Sequence, residues 1–384
     1  MKKMRLLTPG PTAIPEKVLA KFAEPIVHHR TSLFESQFKE VQELLQWLFQ
    51  TKQLVLSLTA TGTGAMEATV TNLFSAGDEV ITVNGGKFGE RWSKIAKAYA
   101  VTTHELFVER GKAVNAGAIE SLLKANPKVK AVLFQASETS TGALMPVKQI
   151  VDLCKKYNVL SVCDGITAVG IFNLPMDEWG IDVLITGSQK ALMLPPGLAF
   201  LALSEKAWKQ AASSTLPKFY FNLIKEKQMQ EKQQTAWTPA ISLIQGAVVS
   251  LGMLKEQGLP ALFHQHELLA AATRNAAKAL GLELFSDAPS PVLTTVKVPA
   301  NFSVDQGKKI QKIMQEKHGV IITGGQDELQ GKILRLSHFG YTDIFDVATG
   351  IGALELTLAE LGHPVEFGKA TGAVLKTMHE FQSN

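Results

Sequence analysis

Cysteine is scarce in this chain. Only Cys154 and Cys163 occur among its 384 residues, and no zinc-ligand spacing surrounds either of them. Two cysteines cannot build a disulfide framework, so a fold that depends on disulfides is excluded. Both are expected to be free thiols in a reducing compartment.

Long apolar runs and concentrated charge are also lacking. The longest apolar stretch, residues 240–254, is too short and too polar to span a bilayer. The opening MKKMRLLTPGPT lacks the apolar region of a signal peptide. The formal net charge of +4 is not gathered into a basic tract, which disfavours nucleic acid as a partner. A cytoplasmic enzyme or binding protein that does not bind membranes is therefore expected.

Between residues 54 and 204, short apolar runs alternate with longer helix-like segments. The runs that predict strands are LVLSL (54–58), EVITV (79–83), VTTHELF (101–107), KAVLFQA (130–136), VLSVCD (159–164), DVLITG (182–187) and LAFLALS (198–204). Strands that alternate with helices form a mainly parallel sheet with helices on both faces. The sequence thus predicts an α/β fold with a seven-stranded sheet, whose ligand lies beyond the carboxyl ends of the strands.

The chain beyond about residue 256 has a different pattern. A long helical stretch is followed by strand PVLTTVKVP, helix DQGKKIQKIMQEKHG, strand KILRLSHF and two more helices. This order predicts a smaller C-terminal α/β domain.

A glycine-rich turn, TATGTGAMEA, follows the first predicted strand. Gly62 and Gly64 allow a ligand to approach the backbone closely, and a helix that starts here offers free N–H groups to a phosphate. Glu67 replaces the third glycine of a dinucleotide fingerprint, and no Walker sequence follows. By itself the turn is equally compatible with a tight connection that binds nothing.

Two ionisable residues end neighbouring strands. Asp164 closes the strand VLSVCD, and Lys190 follows DVLITG in the stretch LITGSQKALMLPPG. A lone ammonium there is costly unless it is paired or becomes an imine. An acid and a lysine facing a phosphate-sized turn indicate a cofactor with a phosphate, a cationic ring nitrogen and an aldehyde, and pyridoxal phosphate has all three. Lys190 would form its Schiff base, and Asp164 would keep the ring nitrogen protonated.

Several motifs occur in one order along the chain: TPGPTAIP, GTGAMEA, NGGKFGERW, ETSTG, CDGITA, TGSQKAL and KILRLSHFGY. In this order they resemble the class V aminotransferases, most nearly the serine–pyruvate and alanine–glyoxylate aminotransferase branch. The resemblance covers essentially the whole chain. It implies the fold of the type I pyridoxal-phosphate enzymes, with an N-terminal active-site segment (1–14), a large cofactor-binding domain (15–256) and a small C-terminal domain (257–384).

The resemblance also implies the cofactor ligands. It gives the Schiff-base role to Lys190 and the ring-nitrogen role to Asp164. Phe88 takes the position of a ring that stacks on the cofactor, where many members have tryptophan, and its alternative is a plain core residue. The other implied cofactor ligands are Thr61, Gly62, Thr63 and Gln189 at the phosphate and Thr139 near the phenolic oxygen.

The implied substrate ligands lie in two motifs. Arg335 matches the arginine that binds the α-carboxylate, and a structural salt bridge is the alternative for this charge in an apolar strand. The N-terminal loop, from Thr8 through Gly10 to Pro11, matches the segment over the substrate, and Thr139 is expected to border the substrate as well. No metal site is expected.

Two further segments bear on partners and substrate. QTAWTP resembles the segment that reaches a neighbouring subunit's cofactor phosphate, with Thr235 the first candidate and Gln234 the second, so a homodimer is expected. The pair His29-Arg30 resembles a pair that meets the substrate's distal phosphate in the phosphoserine branch. It is equally compatible with a helix cap.

The sequence therefore predicts a ping-pong aminotransferase acting through a Lys190 Schiff base. Alanine or serine is the expected donor, and glyoxylate or pyruvate the acceptor. If His29-Arg30 faces the site, aspartate or phosphoserine becomes the expected donor. A cysteine desulfurase is disfavoured because residues 320–337 contain no cysteine, and a non-catalytic subunit of a complex remains an alternative.

Overall fold

The structure is a computed structural model that describes residues 3–382. Residues 1–2 of the predicted N-terminal segment and residues 383–384 of the predicted small domain lie outside the described residues. No helix in the described part is long and apolar enough to cross a membrane.

Strands and helices alternate through the first two thirds of the described chain. The strands are β1 (Arg5–Leu6), β2 (Val55–Ala60), β3 (Glu79–Asn84), β4 (Thr102–Phe107), β5 (Val129–Gln135), β6 (Ser137–Glu138), β7 (Ala143–Leu144), β8 (Leu160–Asp164), β9 (Val183–Gly187), β10 (Gly197–Leu203), β11 (Leu293–Lys297), β12 (Val320–Ile321), β13 (Thr323–Gly324) and β14 (Ile333–Ser337). The helices are α1 (Glu16–Phe22), α2 (Ser32–Phe49), α3 (Gly62–Leu73), α4 (Gly89–Ala98), α5 (Ala116–Ala125), α6 (Val147–Lys156), α7 (Met176–Trp179), α8 (Glu205–Ser213), α9 (Leu223–Gln230), α10 (Ile241–Gln257), α11 (Leu259–Ala279), α12 (Val304–Ile313), α13 (Ile344–Glu360) and α14 (Lys369–Gln382).

The seven predicted strands between residues 54 and 204 form one sheet in the order β2-β10-β9-β8-β5-β3-β4. Strand β10 runs antiparallel to both of its neighbours, and the other neighbouring pairs are parallel. The predicted mainly parallel seven-stranded sheet is thus confirmed.

Both faces of this sheet are buried. Alternate residues of a strand point to opposite faces, so each strand contributes to the apolar cluster on either side. Along β5, Ala131 and Leu133 join one apolar cluster, and Val132 and Phe134 join the other. A strand that is covered on both faces can present polar groups only at its ends. The polar side chains of this sheet that face a ligand therefore follow the strands.

The C-terminal part has its own small sheet, with strand order β11-β14-β13 and antiparallel pairing. It packs with α11, α12 and α13 in a separate apolar cluster that includes Leu269, Ile310 and Leu354. The smaller α/β unit predicted from the sequence is present. The exact boundaries of the domains remain a prediction.

The N-terminal segment connects the two parts. Strand β1 pairs in parallel with β12, and the Leu7 carbonyl accepts a hydrogen bond from Ser337 N–H at 3.0 Å. Five residues later, Thr12 donates its N–H to the Gln189 carbonyl at 3.2 Å. Residues 8–11 therefore pass directly over the loop that carries Lys190.

Candidate active site

Three connections from the large sheet meet at one place. Strand β2 leads into α3 at residues 61–63, β8 ends in Asp164, and β9 leads into the turn that carries Lys190. Strands β8 and β9 are neighbours, and β10 separates β9 from β2. Since these three strands point in the same direction, their carboxyl ends lie at the same edge of the sheet, where α/β proteins bind ligands.

A cavity of about 250 Å³ lies at this edge. It is lined by Thr61, Gly62, Thr63, Phe88, Arg91, Ser137, Thr139, Asp164, Ile166, Thr167, Gln189 and Lys190. All eight residues that the sequence predicts as cofactor ligands within this subunit border it. Arg91, Ser137, Ile166 and Thr167 were not predicted.

A larger cavity of about 560 Å³ lies between the N-terminal segment, α10 and the C-terminal part. It is bordered by Ala191 and Met193, but by neither Lys190 nor Asp164. Its lining includes ionisable residues such as His266, Asp343 and Asp346, but among the described residues only the smaller cavity combines a lysine with a carboxylate at the end of a strand of the large sheet. Chemistry rather than volume therefore identifies the smaller cavity as the candidate site. Among residues 3–382 no cluster of histidine, cysteine and acidic residues could hold a metal ion.

The side chain of Lys190 borders the cavity, and its amino group is enclosed by the protein. Its Nζ donates a hydrogen bond to the Pro9 carbonyl of the overlying segment. Burial lowers the pKa of Lys190 to about 8, with smaller contributions in the same direction from Arg335 and Arg91, while Asp164 opposes the shift. An amine with this pKa is partly neutral near pH 7, and only the neutral amine can attack a carbonyl.

Gly10 is required by the position of Lys190. Its backbone has φ +120°, a conformation that L side chains rarely adopt. A Cβ at this position would lie 2.7 Å from both Cδ and Cε of Lys190. The glycine therefore allows the N-terminal segment to lie against the lysine.

Asp164 is buried at the end of β8, with 7% of its surface exposed. Its Oδ1 accepts the Ile166 N–H at 2.8 Å. Burial is the main cause that raises the pKa of Asp164 to about 6, and Glu138 raises it further. Ile166 N–H, Arg91 and Lys190 act in the opposite direction. A carboxylate in this environment is stabilised when a cationic ring nitrogen lies beside it.

The start of α3 has unused donors. Thr61 is its N-cap residue, but within the described part of the chain the Thr61 side chain makes no cap hydrogen bond. This leaves the first N–H groups of this twelve-residue helix available to a ligand. Gly62 contributes by having no side chain, since a Cβ there would lie 2.8 Å from Ile166 Cγ1. In the described chain the buried Oε1 of Gln189 has no hydrogen-bond donor.

These features fit pyridoxal phosphate. The N–H groups of α3 and the hydroxyls of Thr61 and Thr63 suit the phosphate, and the Asp164 carboxylate suits the ring nitrogen. The Lys190 amine suits the aldehyde. Gln189 borders the cavity as well, and its side-chain amide N–H groups suit the phosphate, whereas its unpaired Oε1 can only accept a hydrogen bond.

Arg335 is not among the residues that line the cavity, but it contacts Thr139, which is. It is 5% exposed on β14 and donates from Nε to the Gly324 carbonyl at 2.7 Å and from Nη1 to the Thr139 carbonyl at 2.9 Å. Burial lowers its pKa to about 10. Within residues 3–382 it forms no salt bridge. The structural salt bridge that was the alternative role for this arginine is therefore not present there.

Glu138 is a site residue that the sequence did not single out, although it opens the motif ETSTG. This fully buried carboxylate accepts hydrogen bonds from the N–H groups of Phe88 (3.2 Å), Gly89 (2.9 Å) and Ser140 (3.1 Å), and from the Ser140 hydroxyl (2.6 Å). It therefore fixes Phe88 and the start of α4 next to the loop that carries Thr139.

The remaining predicted residues lie away from the cavity of their own subunit. Thr8 donates its hydroxyl to the Pro11 carbonyl at 2.8 Å within the N-terminal turn. Gln234 and Thr235 contact Arg30 instead: its Nη1 donates to Gln234 Oε1 at 2.5 Å and its Nη2 to the Thr235 carbonyl at 3.4 Å.

The desulfurase alternative has no support in the geometry. Both cysteines are buried, and neither borders the cavity. Burial raises the pKa of Cys154 to about 12 and that of Cys163 well above its ordinary value. Neither thiol is therefore a nucleophile near neutral pH.

The mainly parallel sheet, the cavity at its carboxyl edge and the aspartate and lysine that border it define a pyridoxal-phosphate enzyme of fold type I. Residues 6–343 match the family model of the class V aminotransferases. The chain belongs to this family, is a transaminase and uses pyridoxal phosphate.

Three relatives illustrate the range of this family. The chain is 38% identical over 366 residues to the soluble hydrogenase 42 kDa subunit of Anabaena cylindrica, covering 94% of both chains. It is 30% identical to the L-aspartate–glyoxylate aminotransferase of Paracoccus denitrificans, covering 96% of this chain and 94% of that one. The crystal structure of ureidoglycine–glyoxylate aminotransferase from Bacillus subtilis superimposes with a TM-score of 0.92 at 28% identity, covering 99% of both chains.

Proposed function

We propose that this transaminase moves the amino group of a small L-amino acid, alanine or serine, to glyoxylate or pyruvate by a ping-pong mechanism. The observation that carries the proposal is the group formed by Lys190, Asp164 and Arg335: a reactive amine, a buried carboxylate and a buried guanidinium that forms no salt bridge within residues 3–382. Glyoxylate as acceptor is supported by the relatives from Paracoccus denitrificans and Bacillus subtilis, which are named for it.

The roles of the residues follow from their environments. When bound, pyridoxal phosphate supplies an aldehyde that takes up the amino group and a cationic ring that accepts electrons. Asp164 holds the ring nitrogen protonated through charge and a hydrogen bond. Lys190, whose pKa of about 8 lies near the working pH, takes the proton from the donor's Cα and returns it to the reacting centre. The N–H groups at the start of α3 and the side-chain amide N–H groups of Gln189 would bind the phosphate.

Arg335 is proposed to bind the α-carboxylate of both substrates. Its side chain is already held by the Gly324 and Thr139 carbonyls, so little rotamer freedom is lost when a substrate binds. A buried guanidinium that forms no salt bridge within the described residues is stabilised most by a carboxylate that accepts two of its N–H groups. Binding also brings the substrate next to Thr139, at the edge of the cavity.

The preference for a small donor follows from what borders the site. The cavity of about 250 Å³ is bordered by Phe88 and Thr139, and the N-terminal segment closes over Lys190 through Pro9 and Gly10. No cationic side chain other than Arg91 and Lys190 lines it. A second negative group on the donor would therefore need a charge from elsewhere.

Aspartate or phosphoserine is the second candidate donor, and the relative named for aspartate favours it. In this arrangement the positive charge comes from Arg30. Because Arg30 is bonded to Gln234 and Thr235, the residues proposed to cross to a partner's phosphate, Arg30 would serve the partner's site in a homodimer.

A non-catalytic role in a complex is a further alternative, because the Anabaena cylindrica relative is named as a hydrogenase subunit. That role leaves Lys190 and Arg335 without a use.

The test is a panel of L-amino donors assayed against glyoxylate with the wild type, Arg30→Ala and Arg335→Gln. Alanine and serine should be the best wild-type donors, and Arg30→Ala should not change their rank above aspartate and phosphoserine. Arg335→Gln should raise the KM of every donor, because one charged pair is typically worth about 2–5 kcal/mol. Strong aspartate or phosphoserine activity that collapses in Arg30→Ala refutes the small-donor proposal, and no turnover with any donor refutes the aminotransferase role.

A further inference from the structure

Arg91 borders the candidate cofactor cavity, although no motif role was assigned to it. It lies in the first turn of α4, three residues after Phe88, and it is partly buried. Its Nη1 donates a hydrogen bond to the Thr63 hydroxyl at 2.9 Å. Thr63 belongs to the first turn of α3, so the guanidinium lies beside the free N–H groups proposed to bind the phosphate.

The charge of Arg91 is not used inside the chain. It forms no salt bridge with any carboxylate among residues 3–382, whereas the nearby Lys87 and Lys94 pair with Glu90. Among residues 3–382 the only hydrogen bond of its side chain goes to a neutral hydroxyl. A guanidinium has five N–H groups, so several of them are left for an anion.

The charge of Arg91 acts on the cavity. It acts to lower the pKa of both Asp164, at the end of β8, and Lys190, in the turn after β9, although burial leaves the pKa of Asp164 raised overall. Of the twelve residues that border the cavity, only Arg91 and Lys190 are cationic. Lys190 is committed to the aldehyde of the cofactor, which leaves Arg91 as the permanent positive charge available to a dianionic phosphate.

We propose that Arg91 binds the phosphate of the cofactor directly, through guanidinium N–H groups that its bond to Thr63 leaves free. This inference rests on the proposed assignment of the cavity as the cofactor site. The competing role is mechanical: the Arg91 guanidinium also lies 5.2 Å from the centre of the Phe88 ring, and a cation over a ring can hold that ring in place.

Pyridoxal separates the two roles, because it has the ring and aldehyde of pyridoxal phosphate but no phosphate. The dissociation constants of both compounds are measured by absorbance on the full-length protein freed of cofactor. Four proteins are compared: wild type, Arg91→Gln, Arg91→Lys and the matched control Lys94→Gln. Lys94 lies on the same helix but is exposed and outside the cavity.

Arg91→Gln should raise the dissociation constant of pyridoxal phosphate by about tenfold or more, which is the usual effect of losing a hydrogen bond between charged groups. Pyridoxal binding should change less than about twofold on the same reasoning. Arg91→Lys keeps the charge, so its affinity for pyridoxal phosphate should fall less than that of Arg91→Gln. Its affinity for pyridoxal should again be unchanged. Lys94→Gln should match the wild type for both compounds.

Two results overturn the role of Arg91. Equal losses of pyridoxal and pyridoxal phosphate, in either Arg91 variant, assign the residue to support of Phe88. Unchanged binding of both compounds leaves it with no cofactor role. If the wild type itself binds neither compound, the assignment of the cavity fails, and this outcome is distinct from a failure of Arg91 alone.

Discussion

Replacing Lys190 with methionine should make the cofactor-free protein more stable. Burial lowers the pKa of this lysine from its ordinary value of 10.5 to about 8. Each pH unit of that difference is worth about 1.4 kcal/mol, so the buried ammonium costs the folded state about 3 kcal/mol below pH 8. Methionine has a similar length and no charge, and it removes this cost.

The sign of the pH dependence follows from proton binding. Between pH 8 and 10.5 the unfolded chain keeps the lysine proton that the folded chain has lost, so wild-type stability rises with pH relative to the variant. The advantage of Lys190→Met should therefore be largest below pH 8 and should fade towards pH 10.5. The lost hydrogen bond to the Pro9 carbonyl reduces the advantage by about 1 kcal/mol at every pH.

Urea unfolding of both cofactor-free proteins at pH 7, 9 and 10.5 measures this difference through the shift in midpoint. Lys94→Met, at an exposed position of α4, is the matched control and should show no pH-dependent difference. A Lys190→Met protein that is less stable than the wild type by the same amount at every pH would refute the reasoning. The lysine would then be held without a desolvation cost.

Other substitutions test the positions of the neighbouring groups. Gly10→Ala should lower turnover at least about tenfold, because the new Cβ would lie 2.7 Å from the Lys190 side chain, and undiminished steady-state rates would show that the segment can move aside. Glu138→Ala should lower the denaturation midpoint by the equivalent of about 3 kcal/mol, because it leaves buried N–H groups unpaired, whereas the exposed Glu109→Ala should have no effect. Asp164→Asn should lower the rate by about two orders of magnitude. It should also lower the pKa of Lys190 below 8, and an upward shift in the pH dependence of lysine labelling would contradict this.

The sequence predicted the large sheet well because its strands are local signals. Each predicted strand between residues 54 and 204 lies within two residues of its observed bounds, since buried apolar runs such as VLSVCD are short and flanked by turns. The position of β10 between β2 and β9 was not predicted. Strand order depends on contacts between residues that are far apart in the chain, which periodicity does not record.

The candidate site divides in the same way. Asp164, Lys190 and the turn at Gly62 could be found because each follows a strand directly. Glu138 and Arg91 were missed because they act through tertiary neighbours: one holds the start of a helix from another segment, and the other contacts a hydroxyl on α3. The sequence did contain a signal for Glu138, which is an acid that opens the hydroxyl-rich motif ETSTG shortly after an apolar strand.

The contacts of Arg30 could not have been read from the sequence. It lies about 200 positions before Gln234 and Thr235, yet it is bonded to both. This contact changes the substrate argument, because it places the candidate for a distal anion with the residues proposed to cross the subunit interface rather than with Lys190. The sequence order had left that choice open.

The most direct test of the account is a single half-reaction. The holoenzyme is mixed with L-alanine or L-serine without an acceptor, and the 2-oxo acid is quantified against protein while the visible absorbance of the bound cofactor is followed. The account predicts one 2-oxo acid per Lys190, loss of the visible band, and recovery of the band when glyoxylate is added. A cofactor-loaded protein that forms no 2-oxo acid with any amino donor, or that forms it without recovery by any 2-oxo acid, would contradict the central claim.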